Sequence, residues 1–130
     1  MAAASALAEK PGRVEKLFLN DRTTIDKKGI YGINIYALGV PHTVIFDDYL
    51  PLQKSANSQS YETLFGLVGE DSSMWGVFLE KAFAKIHGNY EHLTAGDPRQ
   101  ASRSLNGSPS LQFVHSKPEN TVEFLWNILE

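Results

Sequence analysis

The sequence predicts an α+β fold, and three stretches carry that prediction. An apolar stripe at helical spacing runs through Met74 to Tyr90, two β-rich runs lie between Ile30 and Asp47, and a short amphipathic segment covers Val122 to Leu129. The first of these is the strongest. Trp75, Phe78, Leu79, Ala82, Phe83 and Ile86 share one helix side, while Glu80, Lys81 and Lys85 lie away from it. Ser72 or Ser73 offers a hydroxyl to the first free backbone N–H groups, Glu70 and Asp71 bring negative charge to the positive end of the dipole, and Gly88 supplies the stop. Burying the aromatic rings of this face is worth several kcal/mol at about 25 cal/mol per Å2.

The remaining elements follow in chain order. Met1 to Ala8 has helical composition but no capping residue before its first turn. Pro11 opens a second short helix whose inner face is Val14, Leu17 and Phe18, and Asn20 to Lys28 is a polar linker ended by Gly29. Ile30 to Leu38 alternates, with Ile33, Ile35 and Ala37 on one face and Asn34 and Tyr36 on the other. His42 to Asp47 is a run of β-formers, so the two segments form a hairpin joined through Gly39-Val40-Pro41. Pro51 ends the sheet, because proline has no N–H for a ladder, and Gln53 to Ser60 reads as a polar surface loop. Thr94 to Pro98 is a turn, with Asp97 capping a short helix that carries Pro98 at its first position and stops at Asn106-Gly107-Ser108-Pro109. Lys117 to Asn120 then leads through Pro118 into the final helix, whose apolar face is Val122, Phe124, Leu125, Ile128 and Leu129. That helix has no terminating glycine, so both ends of the chain read as cuts through longer elements.

At 130 residues, 42% hydrophobic and 21% charged, the composition is that of one soluble globular domain. A net charge of -3 argues against nucleic acid and anionic membranes as partners. The opening residues are apolar over too short a run for a membrane span and lack a basic leader, which points to a cytoplasmic protein. There is no cysteine, which removes disulfides, thiolate metal sites and a thiol nucleophile from these residues.

Candidate acid–base groups begin with His42, His87, His92 and His115. His87 and His92 straddle Gly88 and lack the spacing of a helical metal pair, and His42 on the sheet has no nucleophile beside it in sequence. Asp47 and Asp48 are adjacent at a strand end, where successive side chains point to opposite faces. Glu70 and Asp71 are the better acidic pair for calcium, with helix N-terminal charge as the simpler role. No Gly-x-Ser-x-Gly setting and no phosphate-cradling loop occurs.

Three blocks together carry a family resemblance. They are Gly32 to Tyr36 with Pro41 through Asp47-Asp48-Tyr49-Leu50-Pro51; Trp75 through Leu79-Glu80-Lys81-Ala82-Phe83-Ala84-Lys85 to Gly88-Asn89-Tyr90-Glu91; and the turn ending at Gly96. The chain resembles the middle of the catalytic core of the calpains, calcium-dependent papain-like cysteine endopeptidases. The resemblance implies an incomplete papain-like core in which residues 1–107 are part of the first subdomain and residues 108–130 are a linker and the first helix of the second. It places the nucleophilic cysteine a few residues before Met1, on the helix that includes Ala3 to Glu9, and the histidine and asparagine of the triad beyond the last helix. It therefore implies a fragment of an intracellular endopeptidase acting on protein or peptide substrates, inactive by itself. The alternative is a non-catalytic module that holds a peptide in the old substrate groove.

One functional position transfers. The resemblance assigns Gly96 to substrate binding, its backbone pairing with the substrate backbone, whereas Ala95 stands where many calpains have a second glycine. The resemblance allows calcium for a parent protein, yet Ser73 occupies the position of the family's acidic calcium ligand in this subdomain, and no catalytic or metal residue is assigned within this chain.

Overall fold

Alternating apolar residues produce the hairpin on which α2 (Trp75–His87) and α3 (Pro98–Asn106) pack. In a computed structural model, which describes residues 2–21, 24–56, 59–93, 96–113, 117 and 121–129, strands β1 (Ile30–Ala37) and β2 (Val40–Asp47) pair antiparallel, with Ile33 opposite Val44 and Tyr31 opposite Phe46. Tyr31, Ile33, Ile35, Val44 and Phe46 occupy one face, and Ile33 is fully enclosed at 0% exposure. The connection is Leu38-Gly39, both with positive φ (52° and 82°), so the turn lies one residue earlier than the Gly39-Val40-Pro41 connection expected, and Val40 and Pro41 belong to β2. Leucine is an unusual residue for that turn, where glycine or asparagine usually supplies the left-handed backbone.

Helix α2 (Trp75–His87) covers this face with Leu79 and Ala82 at the centre and Trp75, Phe78 and Phe83 packed around them. Tyr31, Phe46 and Phe78 form an aromatic contact, the Tyr31 and Phe78 centroids standing 4.6 Å apart. Helices α1 (Ala2–Ala8) and α3 (Pro98–Asn106) complete the core through Ala4 and Leu105. Ile86, assigned to the inner face, is 43% exposed, while Val77 and Ala84 are buried outside the main cluster. A 3-10 turn, Tyr90–Leu93, follows α2 and lies against it.

Other expectations are corrected. Pro11 opens no α-helix; Gly12 takes φ 76° and the segment closes only a 3-10 turn, Glu15–Leu17, although Leu17 is buried as expected. No serine caps α2. Met74 holds the cap position without a side-chain bond; the Ser73 hydroxyl and N–H (3.0 Å) both turn to the Asp71 carboxylate, and Ser72 is held at φ 64°. The polar loop after Pro51 contains a small second hairpin, β3 (Leu52–Lys54) with β4 (Tyr61–Thr63), whose residues are mostly exposed.

The end of the chain is helix α4 (Val122–Leu129), where the Thr121 hydroxyl accepts the Phe124 N–H at 3.1 Å. The lead-in from Lys117 to Asn120 lies mostly outside the described residues, so its proline entry is not seen. Asp97 caps α3 as expected, and Gly107 ends it at φ 71°. The α+β class therefore holds.

Candidate functional site

Lys81 and Lys85 sit one helical turn apart on α2, a rise of about 6 Å, which matches two residues of a strand at about 6.8 Å. They face the outer edge of β2. Lys81 Nζ donates to the Asp47 carbonyl at 2.8 Å, to the Tyr49 carbonyl and to the Asp47 carboxylate, and Lys85 Nζ donates to the Ile45 carbonyl at 2.5 Å. The Lys81 side chain is only 15% exposed. Glu80 accepts the Gly66 N–H at 2.6 Å and ties down the segment after β4. These charged residues, read from sequence as lying away from the packing stripe, fasten α2 to the structure on either side of it. Their signal was the repetition of lysines at i and i+4 beside a strand of uncharged β-formers.

The opposite edge of the hairpin is closed by Phe18 to Asn20. The Leu19 N–H donates to Gly32 O at 2.9 Å, while the Asn20 amide donates to Ile30 O (2.8 Å) and accepts the Gly32 N–H (2.9 Å). Asn20 thus stands in for a strand partner.

Gly96 lies between two anchored flanks. Upstream, Gly88 at φ 98° stops α2, the His87 Nδ1 bonds Phe83 O at 2.8 Å, and the His92 Nδ1 bonds His87 O at 2.5 Å. Both imidazoles must be protonated at Nδ1 to donate to carbonyls, so neither offers that nitrogen as a metal ligand. Tyr90 stacks on Phe65 with centroids 4.6 Å apart and planes 5° from parallel, its hydroxyl enclosed without a partner among the described residues. Burial, and then the charges of Glu80 and Asp47, push that phenol above its ordinary value. Downstream, the Asp97 carboxylate accepts the Arg99 N–H at 2.9 Å and is gripped by the Arg99 guanidinium, which holds its pKa below the ordinary value. Gly96 itself is exposed, and a Cβ added there would meet no atom within 4 Å. Its neighbour Ala95 lies outside the described residues, as does His115.

The other candidates do not converge. Asp47 is engaged by Lys81, which lowers its pKa, and Asp48 lies over Gly29, so the adjacent carboxylates serve different partners. The Asp71 pKa is lowered by the Ser73 hydroxyl and N–H, in keeping with a turn that holds the approach to α2. His42 is exposed on β2, and no group of three or more His, Asp or Glu side chains suited to a metal occurs among the described residues.

An α+β chain whose most distinctive residues brace a helix against a hairpin, and which holds no cysteine of its own, is defined by its scaffold and not by a complete set of reacting groups. Comparison with known proteins places that scaffold. The sequence model of the calpain family of cysteine proteases matches residues 1–130, and the chain belongs to that family. It is 30% identical to calpain-14 of Homo sapiens over 115 residues, 85% of this chain and 15% of that protein. It is 29% identical to the calpain-1 catalytic subunit of Gallus gallus over 106 residues, 81% of this chain and 14% of that protein. The calpain-type cysteine protease ADL1 of Oryza sativa subsp. japonica is 27% identical over 108 residues, 80% of this chain and 5% of that protein. The chain thus spans a small part of the length of the relatives it matches.

Proposed function

We propose that the chain is part of the catalytic core of a calpain-type, calcium-dependent cysteine endopeptidase of the cytoplasm, acting on protein substrates, and that these residues alone are inactive. In this reading residues 1–107 are part of a papain-like first subdomain, and residues 108–130 a linker and the first helix of the second. The observation that carries it is the match of a cysteine-protease family over a chain with no cysteine. Peptide-bond cleavage by this class needs a thiolate, an imidazole to activate it and protonate the leaving amine, and donors to the oxyanion. The chain supplies scaffold and, at Gly96, a stretch of backbone free of side-chain bulk. A peptide could pair there in extended form, as in strand addition.

Replacing the matching segment of the chicken calpain-1 catalytic subunit with residues 1–130 tests the reading. The chimera is expected to cleave a fluorogenic peptide in the presence of calcium, and a further Gly96→Val change to raise KM more than it lowers kcat. The isolated chain is expected to give no turnover under the same conditions. A folded chimera that binds peptide but never cleaves it would favour the non-catalytic peptide-binding module.

A further inference from the structure

The last turn of α3 ends in the one Asn-Gly pair of the sequence, Asn106-Gly107, with Ser108 following. Asn106 is exposed, and its side-chain Oδ1 accepts the Ser108 N–H at 2.9 Å, which holds the carboxamide over the backbone that follows it. A donor at Oδ1 is placed where negative charge would develop if the carboxamide carbon were attacked. Gly107 takes φ 71° and has no Cβ to shield its nitrogen. Its N–H donates to Arg103 O at 2.9 Å, the bond that closes the helix. An electrophile is thus held ready beside a nitrogen whose proton is engaged.

We propose that Asn106 is a site of spontaneous deamidation through ring closure by the Gly107 nitrogen, and that the last turn of α3 is the gate. When the turn opens, Gly107 N leaves Arg103 O, gives its proton to solvent and bonds to Asn106 Cγ. The Cγ–Nδ2 bond breaks, and the side-chain nitrogen takes up a proton and departs as ammonia. One water then opens the cyclic imide at either carbonyl carbon and returns a proton to Gly107 N. Opening at Cγ gives aspartate in an ordinary backbone, whereas opening at the main-chain carbonyl gives isoaspartate, with the chain now running through Cγ. The isoaspartyl chain has one more carbon between the Cα of residue 106 and Gly107 N, which displaces that nitrogen from Arg103 O. There is no slack on the side of the hairpin, since a Cβ on Gly107 would already stand 2.9 Å from the Tyr36 ring. Either product also leaves a carboxylate at the negative end of the helix dipole. Opening therefore permits the reaction, and the isoaspartyl product keeps the turn open, beside buried Leu105 where α3 meets β1 and α1.

The test ages the whole chain in mildly alkaline buffer, with circular dichroism showing it folded, beside the same chain in concentrated urea. Isoaspartate is read by enzymatic methyl transfer and located by fragmentation of the tryptic peptide that starts at Ser104. Residue 106 is expected to be the main position changed in urea, and to react at least about tenfold more slowly in the fold, a factor set by the free energy of opening the turn. Arg103→Gly, an exposed change that weakens the last turn, should speed the reaction of the folded chain about fivefold and leave the rate in urea unaltered. Asn106→Gln, which would have to close a larger ring, should remove the product. The aged chain should melt below the fresh one, and Asn106→Gln aged alongside it should not. Equal rates in buffer and urea, reaction spread evenly over the other asparagines, no effect of Arg103→Gly, or an aged chain that melts with the fresh one would each overturn the proposal.

Discussion

Lys81 donates to three oxygens on and just after β2, and its loss has a definite consequence. Lys81→Met keeps the stem but hands two exposed carbonyls to water, and it should lower stability by about 0.5–1.5 kcal/mol, read as a fall in the urea midpoint at unchanged slope. Lys85→Met, which frees one carbonyl, should cost less. Acid should expose a second residue-scale effect. Asp47 and Asp97 have lowered pKa values in the fold, so each contributes stability that is present above its ordinary unfolded value of 3.8 and is lost as pH falls through the lower folded value. Asp97→Asn should therefore be less stable than the parent at neutral pH and converge with it in strong acid. A constant difference across a pH series of unfolding curves would contradict this.

At the scale of the elements, the turns make the sharpest predictions. Leu38 is 97% exposed at φ 52°, with neither burial nor backbone preference in its favour. Leu38→Asn should raise stability by about 0.5–1 kcal/mol. Gly39→Ala should cost about 1–2 kcal/mol from backbone strain alone, since its Cβ would meet nothing within 4 Å. Gly107→Ala should cost more, because there the Cβ would also press to within 2.9 Å of the Tyr36 ring; thermal unfolding of the two variants compares them directly.

The hairpin and α2 were legible because burial imposes periods of two and 3.6 on apolar residues. The turn was misplaced by one residue because Leu38 carries no turn chemistry. The β3–β4 pair escaped because Gln53, Lys54, Glu62 and Thr63 pair without burying an apolar face. The cap of α2 was misread because the Ser73 hydroxyl, expected to accept the first free N–H groups of the helix, is engaged by the Asp71 carboxylate instead. The assignment of Gly96 rests on family resemblance alone, since an exposed glycine with open space beside it has no pattern of its own.

For the whole molecule, α4 is the weak point. Val122, Phe124, Trp126 and Ile128 are all substantially exposed, and the Phe113 ring meets Phe124 edge-on. Patches of this kind promote association. Light scattering of residues 1–130 should rise with concentration, and Phe124→Glu with Trp126→Glu should suppress that rise. An unchanged concentration dependence would place the association elsewhere.

The two fastened edges of the first hairpin make such growth by strand addition there unfavourable, and the lysines go further. Groups that share the parity of Ile45 and Asp47 point outward from β2, so the ammonium ions meet carbonyls only when that parity is correct. A slip of one residue would turn these carbonyls away and Phe46 to the wrong face at the same time. A slip of two would restore the carbonyl pattern but move the Asp47 carboxylate away from Lys81. The helix therefore acts as an error check on the hairpin, rejecting odd shifts by parity and even ones by charge.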